Sequence, residues 1–256
     1  MSIFKQFFKS IYSPRDIAVF RFQGIGKTIL YVFFLTLIAV LPSIFYFSIS
    51  ANSGIDSAQK GIEKKLPDFS IEDFELKTNE TSPITVVEND TTIIFDGTGS
   101  VSKEDIEHSN NSLALLKNEF VLVAGNQVHT YPYSMFTLKS ITKDELLGFI
   151  DKVDQMMYII LPVFFILIYL FTTAIKFIEV SFLAVLGLVL KNLIGRNVEY
   201  RHTWRMAAYS VTLPTLFFTI MAAIQTNVPN GFILNWFVGI IVLYLAIKEI
   251  PKPKGK

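Results

Sequence analysis

ILYVFFLTLIAVLPSIFYFSI, residues 29–49, runs for 21 residues without a charged side chain. At about 1.5 Å per residue, a helix of that length spans the roughly 30 Å hydrocarbon core of a bilayer. It is read as a first transmembrane helix, kinked at Pro42, where neighbouring helices cover the freed backbone groups. Ser48-Ile-Ser50 has the look of a signal-peptidase site. The apolar run is longer than a signal peptide's core, however, and follows a long basic region, so it reads as an uncleaved anchor.

Upstream, residues 1–28 carry Lys5, Lys9, Arg15, Arg21 and Lys27 against Asp16 alone. That excess predicts a cytoplasmic N-terminus. Phe4, Phe7, Phe8 and Ile11 fall on one helical face with Lys5 and Lys9 opposite, which fits a helix in the membrane interface or one packed on the protein itself. Ser13-Pro14 reads as a helix start, with Ser as N-cap and Pro at the first position.

Downstream the composition changes sign. Residues 50–155 hold nine Lys and eighteen acidic residues, a net charge of minus nine, whereas the rest of the chain carries plus ten. Together with 51% hydrophobic and 14% aromatic residues, this partition points to a membrane protein whose acidic block is outside and whose basic loops face the cytoplasm. The block reads as a compact α+β domain. It contains a helix from Ile55 to Leu66, an apolar strand region from Phe69 to Leu76, and strands at 84–87 and 91–95 joined by Glu88-Asn89-Asp90. Further apolar elements lie at 113–116, 120–123 and 128–131, with a turn at Gly125-Asn126. Thr142-Lys-Asp-Glu145 is a capping box that opens a last helix.

Met156 to Ile194 is 39 residues long with only Lys176, Glu179 and Lys191 charged, about twice what one crossing needs. Two paths fit. In one, a crossing ends near Lys176 and a second apolar helix, residues 177–194, is interfacial, re-entrant or packed among the others. In the other, the stretch is a hairpin of two crossings. The basic loop from Lys191 to Arg205 would then lie outside, so charge favours the first. Residues 206–224 and 232–247 are two more crossings, and the lysines after the second predict a cytoplasmic C-terminus. Trp204 and Trp236 are expected near opposite membrane faces.

The expected fold class is therefore an α-helical multi-pass membrane protein with four crossings, or five if residues 177–194 also cross, and a small α+β extracytoplasmic domain between helices one and two. The expected divisions are a cytoplasmic amphipathic segment (1–28), transmembrane helix one (29–49), the acidic extracytoplasmic domain (50–155), a C-terminal membrane domain (156–250) and a cytoplasmic tail (251–256).

Catalytic chemistry is thin. The chain has no Cys and three His, so neither a thiolate site nor a His-Glu-x-x-His zinc site can be built. No catalytic residue, cofactor or metal is expected, and no nucleic-acid partner. Phe95-Asp96-Gly97-Thr98-Gly99 resembles an aspartic-protease or phosphatase loop, but its residue order matches neither. A strand end followed by a Gly-rich turn explains it. Lys176 and Glu179 lie three apart on one helical face. They form either an intramembrane ion pair, a candidate functional site, or a pair that snorkels at the interface. Lys191, Arg196, Arg201 and Arg205 form a basic patch able to hold anionic lipid headgroups or simply marking the cytoplasmic side.

Tyr12-Ser-Pro14 through Arg21-Phe22, Gly26-Lys-Thr-Ile-Leu-Tyr31, Leu66-Pro-Asp-Phe69 and Ile94-Phe-Asp96 to Gly99 resemble an uncharacterised family of Gram-positive bacterial multi-pass membrane proteins. Some of its members are labelled maltodextrin-utilisation proteins. Gly195-Arg196, Tyr200, Trp204, Tyr209 and Pro214 are similar to the Yip-type membrane domain. The resemblance implies the cell membrane, with no assigned catalytic residues. The function expected is a non-enzymatic accessory, sensor or regulatory protein of the bacterial envelope. Its partners would be the lipid bilayer and a membrane or envelope protein met by the outer domain. The alternative is a small-solute transporter or a subunit of a sugar (maltodextrin) uptake system, and a third is an outer-face hydrolase built on Asp96.

Overall fold

The computed structural model describes residues 1–88, 91–106, 111–124, 127–135 and 140–252. The expected turns at Asn89-Asp90 and Gly125-Asn126, and the last residues of the tail, lie outside the described residues. In chain order the helices are α1 (Ile3–Tyr12), α2 (Pro14–Phe20), α3 (Ile25–Lys65), α4 (Lys103–Ile106), α5 (Lys143–Leu193), α6 (Tyr200–Ser210), α7 (Thr212–Ala223) and α8 (Gly231–Lys248). The strands are β1 (Phe69–Glu72), β2 (Glu75–Thr78), β3 (Ile84–Glu88), β4 (Thr91–Phe95), β5 (Asn111–Leu115), β6 (Glu119–Ala124), β7 (Gln127–Pro132) and β8 (Ser140–Thr142). The chain divides into a helical unit, Met1–Tyr46 with Pro162–Lys256, and a sheet-containing unit, Phe47–Leu161. Both boundaries fall inside helices, one in α3 and one in α5.

Among the described residues, four helical segments are long and apolar enough to cross a membrane: Ile25–Lys65, Lys143–Leu193, Tyr200–Ala223 and Gly231–Lys248. The predicted separate helix at Ile55 is the continuation of α3. Likewise α5 runs for 51 residues without interruption, so the expected break after Lys176 is absent and the hairpin with it. The reason is local. From residue 177 to 191 the only weak helix former of consequence is Gly187, and a lone Gly costs about 1 kcal/mol, too little to end a helix packed on its neighbours. Lys176 and Glu179, three residues apart, pair with each other on the helix face and leave its backbone intact.

In the helical unit, Ser13 caps α2 as expected, its hydroxyl accepting from the Asp16 N–H at 3.3 Å. The α1 face divides differently from the prediction. Gln6, Phe7 and Ser10 point inward while Phe4 and Phe8 stay exposed. The inward stripe meets a polar niche around Tyr209, whose ring lies between Phe20 and Tyr31 with centroids 4.7 and 4.4 Å away. Tyr209 donates to Gln6 Oε1 at 3.4 Å. Thr212 gives its only proton to the Tyr209 carbonyl at 2.7 Å, so Tyr31 must be the donor in its 2.6 Å bond to Thr212. The three hydroxyls each donate a hydrogen bond, while Gln6 Nε2 in the same niche is buried without a partner among the described residues.

α5 and α8 meet through small residues at four-residue spacing. A Cβ at Gly239 would lie 3.6 Å from Leu183, and one at Gly187 would lie 3.1 Å from Leu243 and 3.3 Å from Thr203. Each leucine thus seats over a glycine of the facing helix, the close approach that small residues permit between apolar helices. Gly187→Leu should force α5, α6 and α8 apart and cost about 1–3 kcal/mol, read as a lower melting temperature of the purified protein. An unchanged melting temperature would mean that the contact carries no packing strain.

The sheet-containing unit holds two sheets, ordered β2-β1-β8 and β3-β4-β5-β6-β7. β3 and β4 pair antiparallel from Ile84↔Phe95 to Glu88↔Thr91, as the sequence predicts. β4 and β5, however, run parallel. A parallel pair needs a crossover, which here comprises the turn after Phe95 and α4. One face of the larger sheet buries Val86, Ile93, Phe95 and Leu115 with Ile62 and Leu66 of α3, and Leu146, Leu147 and Ile150 of α5 pack against that cluster. A second cluster collects Ile106 of α4 with Ala114, Val121 and Val123. The predicted capping box forms at the start of α5: Thr142 N–H donates to Glu145 Oε2 at 2.9 Å and the Glu145 N–H returns to Thr142 Oγ1 at 3.3 Å.

Candidate functional site

Lys176 and Glu179 lie on consecutive turns of α5, three residues apart, so their side chains meet. The ammonium is 2.7 Å from Glu179 Oε2, and each side chain is only 12% exposed. Neither snorkels. Lys176 also donates to Thr215 Oγ1 of α7 at 3.2 Å, and Asn235 of α8 donates to the other carboxylate oxygen, Oε1, at 2.7 Å. A buried pair survives only when further hydrogen bonds satisfy what the partner leaves open. Thr215 and Asn235 supply them.

This cluster forms the floor of a cavity of about 660 Å³. Ala39 of α3, Thr172 and Lys176 of α5, Thr215 and Thr219 of α7, and Asn235 of α8 line it, with the connection from α7 to α8 contributing Thr226 and Asn227. All four apolar helical segments therefore reach the cavity. Phe218 and Phe232 add apolar wall. Of the ion pair, Lys176 faces the space, while Glu179 sits behind it.

Sequence reading found the pair and missed its partners. Asn235 carried a usable signal, being the one side chain in the apolar run from Phe232 to Ile247 with an amide. Thr215 and Thr219 stand at i, i+4 on α7, a polar stripe that hydropathy averages away.

Over residues 4–247 the chain matches the family described as Protein of unknown function (DUF1189). The chain belongs to that family. No curated protein and no solved structure matches it. The DUF1189 match takes in the whole cavity floor and both long helices.

The other candidates of this DUF1189 chain are engaged elsewhere. Lys191 donates to the Val198 carbonyl at 2.5 Å, Arg196 to the Lys248 carbonyl at 2.9 Å, and Arg205 to the Arg21 carbonyl at 2.9 Å. Arg201 pairs with Glu199 at 2.6 Å. Three of the four patch residues thus tie main-chain oxygens, two of them at the C-terminal ends of α2 and α8, where cations offset the helix dipole. They are not gathered into one open patch. The tryptophans are not at opposite ends either. Trp204 stacks on Phe177 and donates to Ser181 at 3.2 Å, while Asn235, beside Trp236, reaches Glu179. The Trp204 indole and the start of α8 at Asn235 thus reach the same two turns of α5.

Asp96 is fully buried at the end of β4. Its Oδ1 accepts from the Thr98 N–H at 2.8 Å and the Thr98 hydroxyl at 2.6 Å, and its Oδ2 from the Val101 N–H at 2.7 Å. Burial pushes the carboxyl up, but the Thr98 hydroxyl and the N–H groups of Val101, Thr98 and Gly99 outweigh it and hold the group below the usual carboxylate range. Gly99, at φ +82°, closes the loop in a backbone region that favours glycine. A carboxylate bonded in this way organises the turn.

Proposed function

We propose that the protein is a non-enzymatic membrane accessory, sensor or regulatory protein of the bacterial cell envelope. Its termini are cytoplasmic and its sheet-containing unit, from about residue 50 to 155, lies outside, where it meets an envelope or transporter component. The supporting observation is that α3 and α5 each serve both units: Ile62, Leu66, Leu146, Leu147 and Ile150 join the sheet core, while Tyr31, Leu35, Val180 and Leu183 of the same helices join the helical core. A partner that favours one packing of the sheet unit can thereby bias the helices that continue from it. The basic residues of 1–28 and the lysines after α8 support the orientation.

The test has two parts. Single cysteines at Ser102, Asn197 and Lys254 of this Cys-free chain should react with an impermeant thiol reagent in intact cells at Ser102 alone. A strain lacking residues 53–151 should match the null strain; if it matches the full-length strain, the outer unit has no regulatory part. The cavity favours a second reading, a small-solute transporter or a subunit of an uptake system. Unchanged uptake after Lys176→Gln/Glu179→Gln would remove it.

A further inference from the structure

We infer that the cavity among α3, α5, α7 and α8 binds a small soluble organic anion, with the Lys176 ammonium as its charged contact. A volume of about 660 Å³ falls in the range of small-molecule sites, roughly 300–1,000 Å³. The charge that faces the space is positive. Among the described residues no carboxylate lines it, because Glu179 is held behind Lys176 by Asn235. An ammonium has three protons to donate; Glu179 and Thr215 take two. Lys176 lines the cavity, and among the described residues the structure shows no acceptor for the third.

The rest of the lining suits a carboxylate or sulfonate on a short carbon frame. Thr172 and Asn227 offer hydroxyl and amide donors, and Phe218 and Phe232 cover carbon. Asn235 is one turn below the start of α8 and Thr215 is two turns below Ala222 on α7, so the ammonium lies about 6–10 Å inside the end of the bundle. Between the helices its attraction for an anion is stronger than in bulk water, offset in part by Glu179 at 2.7 Å. Thr226 and Asn227 make the mouth polar, which favours entry from solution over an acidic lipid headgroup. The site serves a sensor as well as a carrier, so it stands apart from the role of the outer unit.

The protein's lack of cysteine makes a charge-selectivity experiment direct. Full-length Thr219→Cys, and Ala222→Cys on the same wall as a second variant, are placed in phosphatidylcholine nanodiscs. Each is reacted with the anionic 2-sulfonatoethyl and the cationic 2-(trimethylammonium)ethyl methanethiosulfonates. Taking the ratio of the two rates cancels any change in thiolate content. Normalised to Thr226→Cys at the mouth, the sulfonate should react at least tenfold faster, and Lys176→Gln/Glu179→Gln should abolish the preference. Equal rates, a faster cation, or no reaction at either wall position while Thr226→Cys reacts would overturn the inference. So would protection in phosphatidylglycerol discs, which would assign the site to a lipid headgroup.

Discussion

Asp96→Ala should destabilise the sheet-containing unit. Removing the carboxylate takes the acceptor from the part-buried N–H groups of Thr98 and Val101 and frees the Thr98 hydroxyl. An unsatisfied buried donor costs about 1–3 kcal/mol, and less where water reaches it, so the loss is about 1–3 kcal/mol against a domain stability of about 5–15 kcal/mol. Hydrogen exchange in β3 to β6 of the full-length protein would register it. The same carboxyl predicts acid sensitivity. Its folded-state pKa is depressed, so the stability it contributes is present above the unfolded value of about 3.9 and is lost as pH falls through the lower folded value. Asp96→Asn should remove that part of the acid transition. A nucleophilic Asp96 would behave oppositely, with its alanine variant well folded and a hydrolytic activity gone.

Lys176→Met is the second large effect, and it should destabilise the helical unit by about 3–5 kcal/mol. The number follows from what is left behind: a carboxylate only 12% exposed, still held by Asn235 but without its cation, and removal of one partner of a buried pair carries that cost. Lys176→Met/Glu179→Leu should recover most of the loss, since two apolar side chains of similar volume avoid the desolvation of both charges. Thermal unfolding of the purified single and double variants tests the coupling. If the double variant is as unstable as the sum of the two single ones, the residues do not act as a pair.

Much of the architecture was legible because apolar length and local capping are short-range signals. The uncharged run at 29–49, the Thr142 to Glu145 box and the β3–β4 pairing follow from neighbouring residues alone. The path after Lys176 was not legible. Charges in an apolar run look like the end of a crossing, and what keeps them inside, Thr215 and Asn235, lies 39 and 56 residues away in the chain. The parallel pairing of β4 with β5 was hidden for the same reason, as nothing in either strand's alternation reports its partner's direction. The basic patch was visible as composition, but its use to tie carbonyls depends on where α2, α6 and α8 end. In the candidate site, sequence reading identified the charged half and overlooked the neutral half.

The leucine-over-glycine contacts of α5 and α8 restrict how the helical unit can move. Asn235, Gly239 and Leu243 face Glu179, Leu183 and Gly187 in turn, so the two helices run in the same direction with matched spacing. A slip of one turn would set Leu183 against Leu243 and leave Glu179 facing a glycine, losing both the fit and the amide that holds the carboxylate. Sliding along the helix axes is therefore closed as a route between states. Any signal or solute that changes this unit must turn α5 and α8 together as one lever, with the floor of the cavity carried on it intact.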